Sequence, residues 1–211
     1  MKTLIVLAHP EPRSFCSELA RRAAARLQSA GEVRILDLHA EDFDPVIRPS
    51  HFPRRASPER FEPMVEQAHQ ATTGAVTADI AEHQAAVRWC DRLLLVFPLW
   101  WWSMPAILKG WIDRVFSTDF AYGAQDLGGR IAMLCTTAET KAERFEPTDG
   151  RNPLHHIERG ILKFWGFDVA PSFVAADVYD ATDADRRTLL ADFEASVARH
   201  LAPKPADGGS T

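Results

Sequence analysis

Three consecutive tryptophans, Trp100–Trp102, follow an apolar run and stand just before Pro105. Adjacent side chains cannot all point into one core, so at least one indole should be exposed or face a ligand. Such rings, together with the amides of a loop, would hold a planar aromatic ligand. The alternative is that they fill a core or a subunit interface, where tryptophan is common.

A second polar loop, residues 9–14, follows the first apolar run and contains His9, Arg13 and Ser14. It precedes a helical segment, and a helix N-terminus with hydroxyl and imidazole donors suits a phosphate group. The alternative is that Ser14 only caps the helix. The loop has no GxGxxG, which disfavours a dinucleotide-binding turn, and no GxxxxGK[ST], which excludes a Walker A loop.

A third loop, residues 136–140 (TTAET), follows another apolar run and offers hydroxyls and free amides. Threonines at strand ends are frequent, so this loop alone is a weak signal. The three loops together favour a ligand that is anionic, flat and aromatic. A flavin nucleotide has those properties.

Apolar runs alternate with helical segments along most of the chain, and this alternation should position the three loops. Strands are predicted at 3–8, 33–37, 92–98, 130–136 and, weakly, 167–173. Helices are predicted at 15–30 (closed by Gly31), 78–90, 105–116, 154–165 and 183–200. Continuous apolar strands suit a parallel sheet covered on both faces. In such a doubly wound sheet, ligands bind beyond the carboxyl ends of the strands, which would bring loops 9–17, 98–105 and 136–153 together.

Residues 38–77 interrupt the alternation with five prolines and no strong hydrophobic period. We expect at most short helical pieces there. Forty residues are too many for an ordinary connection, so this excursion should have a role such as subunit contact or site closure. The last residues, 203–211, have the composition of a disordered tail. The chain is therefore expected to form a single domain over residues 1–202.

Composition places the 211-residue chain among soluble globular proteins, with 46% hydrophobic and 25% charged residues. A net charge of −5 argues against sequence-independent nucleic-acid binding. The three cysteines form no CxxC pair, which disfavours a zinc site and fits reduced thiols in the cytoplasm. The longest uncharged stretch, residues 93–108, is short for a membrane span. No metal-ligand spacing is present, so no metal is expected.

Two long motifs resemble the NAD(P)H:quinone oxidoreductases of the DT-diaphorase type. They are LIVLAHPEPRSF at residues 4–15 and FPLWWWSMPAILKGWIDRVF at residues 97–116. The resemblance also includes Thr136-Thr137 and residues 160–167, so it covers roughly residues 2–170. It implies a flavodoxin-like fold, a three-layer α/β/α sandwich whose five-stranded parallel sheet has the order 2-1-3-4-5. It also implies a homodimer with tightly bound FAD (FMN being possible) that passes two electrons from NAD(P)H to quinones by a ping-pong mechanism.

The same resemblance assigns residues to the cofactor. Those expected at the flavin's phosphates and ribityl chain are His9, Ser14, Phe15 and Cys16. Those expected to border the isoalloxazine ring are Pro98, Leu99, Trp100, Trp101 and Trp102, with Thr136 and Thr137 at its pyrimidine end. Glu62 and Arg186 fall where family members supply further FAD contacts.

The chain departs from the family's pattern at several of these positions. Cys16 replaces an asparagine and Trp100 a glutamine, and Ala138-Glu139 stands where two glycines are usual. A tyrosine expected in the third loop is Phe145, which cannot donate a hydrogen bond. His155 or His156 is a candidate for the catalytic role of that phenol. The alternative is a solvated histidine pair that opens a helix.

Two other functions are compatible with the sequence. One is a flavin-binding regulatory subunit of a potassium-efflux system, for which the excursion and the altered third loop would bind a partner. The other is a one-electron carrier like flavodoxin, which the aromatic loop makes less attractive. The sequence names neither the physiological acceptor nor the preference between NADH and NADPH.

Overall fold

The computed structural model describes residues 1–117, 120, 127–145 and 153–201. The strands are β1 (Thr3–Leu7), β2 (Val33–Asp37), β3 (Arg92–Pro98), β4 (Ile131–Thr137), β5 (Asp168–Val169) and β6 (Phe173–Ala175). The α-helices are α1 (Phe15–Gln28), α2 (Pro63–Thr73), α3 (Ala78–Trp89), α4 (Ala106–Val115), α5 (His155–Ile157) and α6 (Asp183–Leu201). A π-helical turn, Glu158–Lys163, continues α5, and 3₁₀ turns lie at Pro49–His51 and Ala142–Phe145.

The sheet is parallel in the order β2-β1-β3-β4-β5, with β6 also paired to β4. Ile5 of β1 lies opposite Ile35 on one side and Leu94 on the other. The predicted flavodoxin-like strand order is confirmed. Because all strands run the same way, the loops after β1, β3 and β4 leave the sheet at one edge.

Helices cover both faces of the sheet. Leu4 and Val6 pack on the side of α3 and α4, in the larger apolar cluster. Ile5 and Leu7 pack on the opposite side, against α1 and α6. All of β1 is buried, which explains why its sequence is a continuous apolar run rather than an alternating one.

The fifth strand is interrupted. The prediction of one strand over residues 167–173 is corrected to two short strands, β5 and β6, both paired with β4. Pro171 lies between them and has no N–H to give to a sheet.

The excursion at 38–77 contains α2, a helix of 11 residues, so the expectation of short helical pieces only was wrong. Pro63 occupies the first turn of α2, where it starts a helix rather than breaking it. The residues that α2 buries are polar, namely Glu66, Gln67 and Gln70. The helix therefore has no apolar period that the sequence could have revealed.

Gly31 was expected to close α1, but α1 ends at Gln28 and its C-cap is Ser29. Gly31 has a φ of +149°, and a Cβ there would lie 1.8 Å from the carbonyl oxygen of Met1. Close approach of two backbone segments requires this glycine. The predicted tail at 203–211 lies outside the described residues.

Candidate active site

The first loop leads into the N-terminus of α1, which Ser14 caps. Its Oγ accepts the Ser17 N–H at 3.1 Å. Helix geometry leaves the first amides of α1, those of Phe15 and Cys16, without acceptors inside the helix. Ser14 is thus a helix cap, as one alternative held, and the same helix end presents donors suited to an anion.

His9 is oriented by the loop it belongs to. Its Nδ1 accepts the Glu11 N–H at 3.0 Å, so the neutral imidazole carries its proton on Nε2. Burial lowers the pKa of His9 below its usual value, which favours the neutral ring. His9 therefore offers one N–H donor at the edge of the sheet.

The tryptophan loop is a tight two-residue turn. Trp101 and Trp102 both have positive φ, 50° and 61°. A turn with two positive φ angles is usually built from glycine or asparagine, so two tryptophans there are strained. The loop is tied to β4, because the Leu99 N–H donates to the Thr137 carbonyl at 2.8 Å.

The indoles of this turn face outward. Trp101 is 96% exposed, and Trp100 and Trp102 are 47% and 45% exposed. The prediction that at least one indole would be exposed is confirmed. The Trp102 ring lies 5.8 Å from that of Phe145, which brings the third loop beside the turn.

A cavity of about 740 Å³ lies between the first loop and the tryptophan turn. Seven residues predicted to contact the cofactor line it: His9, Ser14, Phe15, Pro98, Leu99, Trp100 and Thr137. Its remaining wall is formed by Arg13, Glu18, Ala138, Glu139, Val178, Tyr179 and Arg186. Sequence reasoning missed Val178 and Tyr179; the only available signal was their position after the last strand.

A second cavity of about 570 Å³ is lined by the tryptophan turn. Its wall consists of Leu99, Trp100, Trp101, Trp102, Ala138, Glu139 and Thr140. The two cavities share Leu99, Trp100, Ala138 and Glu139. The two cavities are therefore adjacent, and a ligand in either would contact these residues.

Two of the predicted cofactor residues line neither cavity. Cys16 is 1% exposed, and its Sγ lies 3.3 Å from the Thr137 Oγ1. Burial raises the pKa of the Cys16 thiol to about 11. Thr136 is fully buried, and its hydroxyl donates to the Thr137 carbonyl. Their side chains lie behind the cavity wall, so only their backbones are close to a ligand there.

Of Glu62 and Arg186, the two positions of further FAD contacts in the family, the structure brings one to the cavity. Arg186 lines it, and its guanidinium donates to the Val178 carbonyl at 3.4 Å. Glu62 lines neither cavity and pairs with Arg60 at 2.9 Å. None of residues 38–77 lines the two cavities, so within one chain the excursion does not close this site.

His155 and His156 open α5 and also lie outside both cavity walls. The Nε2 of His156 lies 3.4 Å from the Ser103 Oγ, at the end of the tryptophan turn. Its Nδ1 lies 3.0 Å from the Pro153 carbonyl, which can only accept. When its ring is neutral, the Nε2 of His156 thus accepts a hydrogen bond from the Ser103 hydroxyl.

The larger cavity has charged side chains of both signs. Arg13 and Arg186 bring positive charge to its wall, and Glu18 and Glu139 bring negative charge. Glu18 is held by Arg21 and then Arg22, whose hydrogen bonds lower its pKa to about 2. Its charge is therefore balanced within α1, and an anion can use the two cations of the wall.

Among the described residues, no three His, Cys, Asp or Glu side chains are grouped as for a metal ion.

Comparisons with known proteins bear on the family and the fold of this chain. A family model described as flavodoxin-like fold matches residues 1–198. The chain is 41% identical over 180 residues to NAD(P)H dehydrogenase (quinone) 1 of Cavia porcellus, a match covering 80% of this chain and 66% of the relative. It is 34% identical over 204 residues to ribosyldihydronicotinamide dehydrogenase (quinone) of Mus musculus, covering 91% and 88%.

A solved structure is similar over nearly the whole chain. A candidate quinone reductase from Klebsiella pneumoniae superposes with a TM-score of 0.89 at 32% identity. The superposition covers 97% of this chain and 86% of that one. None of the described helices has the length and apolarity needed to traverse a bilayer.

Proposed function

Since this chain belongs to the quinone oxidoreductase family with the flavodoxin-like fold and is an oxidoreductase, we propose that it binds a flavin nucleotide in the larger cavity. With that cofactor it would transfer two electrons from NAD(P)H to a quinone or a related acceptor. The overall reaction consumes NAD(P)H, one proton and the quinone, and releases NAD(P)⁺ and the hydroquinone.

One observation carries this proposal. A single cavity has an anion-binding helix end at one place in its wall, beside Ser14, and an aromatic turn at another, beside Trp100. A flavin nucleotide carries its phosphate and its aromatic ring in the same molecule. The volume of about 740 Å³ is also within the range of ordinary ligand pockets.

The residues present fit that cofactor. The first amides of α1, the His9 Nε2–H and the two arginines of the wall are donors for phosphate oxygens. The tryptophan turn would lie against the ring. Val178 and Tyr179 extend the wall with an apolar and an aromatic side chain, which favours FAD over FMN.

A bound flavin supplies the hydride acceptor and donor of the reaction, so the chain needs no nucleophile of its own. The third loop would bind the polar edge of the ring. The Ala138 N–H already donates to the Ala175 carbonyl at 2.9 Å. We therefore assign that role to the amides of Glu139 and Thr140.

The smaller cavity is assigned to NAD(P)H and then to the acceptor. Because both substrates are assigned to the same cavity, they would occupy it in turn, which implies ping-pong kinetics. We propose that His156, in the form protonated on both ring nitrogens, donates its Nε2 proton to the Ser103 hydroxyl, which in turn passes its own proton to the acceptor. His155, its neighbour, serves as the matched control.

We further propose that the enzyme is a cytoplasmic homodimer. Trp101 beside the site, and Met64 and Val65 on α2, expose apolar surface of the kind that a second subunit covers. The cysteines are free and buried, as reduced thiols of a cytoplasmic protein would be. No observation favours the regulatory-subunit alternative, and the relatives described above bear the names of enzymes.

The test is an anaerobic titration of the purified, flavin-loaded protein. Addition of NADH or NADPH should bleach the flavin absorbance in a two-electron step, and a quinone should restore it. Steady-state rates at several concentrations of both substrates should give parallel double-reciprocal lines. A protein that takes up no flavin, or whose flavin neither donor reduces, would contradict the proposal.

A further inference from the structure

Among the residues that the structure describes, the wall of the smaller cavity contains one ionisable side chain, that of Glu139. Three of its members are indoles, those of Trp100, Trp101 and Trp102. Leu99, Ala138 and Thr140 complete it with apolar and neutral polar groups. Electron-rich aromatic faces and one carboxylate are the groups with which proteins recognise cations.

Glu139 keeps its charge available to a ligand. It is exposed, and no ion pair among the described residues involves it. Lys141 and Arg144 follow it on the same segment, but neither lines a cavity. The carboxylate therefore has no counter-charge within the wall itself.

The larger cavity differs in this respect. Arg13 and Arg186 stand in its wall together with Glu139. Glu139 belongs to both walls, so it lies where the two cavities meet. An acceptor in the smaller cavity would experience the indoles and this one negative charge, whereas the cofactor's phosphates would face the arginines.

We propose that Glu139 determines the charge of the electron acceptor, so that the site prefers planar aromatic cations to neutral quinones of similar reactivity and disfavours anionic ones. The inference rests on the proposed function and narrows its substrate class. Two unit charges about 4 Å apart in water-like surroundings change a rate constant by about fivefold, which sets the expected size of the effect. Stacking on indole faces acts in the same direction for a cation.

The experiment measures reoxidation of the flavin-loaded protein by three probes. The protein is reduced anaerobically with one equivalent of NADH and mixed rapidly with N-methylphenazinium, 2-methyl-1,4-naphthoquinone or 1,2-naphthoquinone-4-sulfonate. These are a cation, a neutral quinone and an anion. The readout is the ratio of second-order rate constants between variant and wild type for each probe, because intrinsic reactivity cancels in that ratio.

The variant is Glu139→Gln, and the matched control is Glu143→Gln. Glu143 is an exposed carboxylate on the same segment that lines neither cavity, and both variants change the net charge equally. In Glu139→Gln we expect the cation to react about fivefold more slowly and the anion about fivefold faster. The neutral quinone should stay within about twofold, and Glu143→Gln should move none of the three beyond that.

The possible failures are distinct. If all three probes reoxidise the protein and Glu139→Gln leaves their ratios unchanged, or if Glu143→Gln shifts them as strongly, the inference is overturned and the redox function stands. If the protein binds no flavin, or none of the probes reoxidises it, the proposed function fails and the inference fails with it.

Higher salt should reduce the charge preference of the wild type but not that of Glu139→Gln.

Discussion

The main chains of Trp100 and Ser103 are joined by two hydrogen bonds, each of 3.0 Å. They close a turn whose tip, Trp101 and Trp102, has a backbone conformation that suits glycine. Large side chains at positive φ cost of the order of 1–3 kcal/mol each, and they persist where the surrounding structure holds them. The strained backbone of this turn therefore lowers the stability of the fold, and the turn presents indoles at the rim of two cavities.

Replacement of Trp101 by glycine should show separately how the backbone strain affects stability and how the indole affects ligand binding. Because the ring is 96% exposed, little packing is lost, and the unliganded protein should be as stable as wild type or about 1 kcal/mol more stable. Trp101 lines the smaller cavity and not the larger one, so the affinity for a planar acceptor should fall by about 1–3 kcal/mol through lost aromatic contact. Thermal unfolding of the flavin-free protein and titration of the flavin-loaded protein with the acceptor give the two quantities. Unchanged acceptor affinity in the Trp101→Ala, Trp102→Ala double variant would contradict the assignment of this cavity.

Ser14 allows helix capping to be distinguished from phosphate binding. Ser14→Ala should cost about 1 kcal/mol, because the Ser17 N–H loses its acceptor. Ser14→Asp keeps a capping oxygen but places a negative charge beside the proposed phosphate. We expect it to retain near wild-type stability and to bind FAD at least tenfold more weakly. Riboflavin, which has no phosphate, should bind both proteins alike; an equal loss for riboflavin would place the phosphate elsewhere.

His9 should make the stability of the flavin-free protein depend on pH. Burial lowers its pKa from the usual 6.5, so the unfolded chain takes up this proton before the folded chain does. The contribution of neutral His9 to the free energy of unfolding is therefore fully present above about pH 6.5. It is lost as the pH falls through the lower pKa of the folded state. His9→Gln should make the free energy of unfolding depend less on pH in that window, whereas the exposed control His155→Gln should not. Equal slopes for wild type and His9→Gln would exclude this origin.

Gly110 lies on α4, the helix that follows the tryptophan turn. A substitution there tests how closely α4 packs against the excursion at residues 38–77. A Cβ at this position would lie 2.2 Å from the carbonyl oxygen of Pro45. Gly110→Ala should thus destabilise the protein by about 1–3 kcal/mol through overpacking. At Gly160 a Cβ would meet nothing within 4 Å, so Gly160→Ala should be neutral or slightly stabilising. Denaturant unfolding of both variants measures the difference, and equal effects would contradict the close approach.

The sequence was most informative where burial is complete. β1 and β3 are enclosed on both faces, so their apolar runs marked them and gave the parallel sheet with its binding edge. It was least informative where polar groups do the packing. Glu66 is 1% exposed and accepts from Arg55 and from the Ala56 N–H, contacts that no hydrophobic period can reveal.

The candidate site was predictable as a set of loops but not as individual side chains. Strand order alone brings Ser14, Trp100 and Thr137 to one cavity. The side chains of Cys16 and Thr136 are buried and do not line it, although their neighbours Phe15 and Thr137 do. Tyr179 follows β6, which leads the chain to the cavity wall. The sequence did not reveal β6, because the fifth strand is interrupted.

The most direct test of the central claim is a crystal structure of the flavin-loaded protein. It should show the isoalloxazine ring against the Trp100–Ser103 turn and a phosphate oxygen within hydrogen-bond distance of the first amides of α1. A flavin bound elsewhere, or a cavity filled by the indoles themselves in the presence of saturating cofactor, would contradict the assignment.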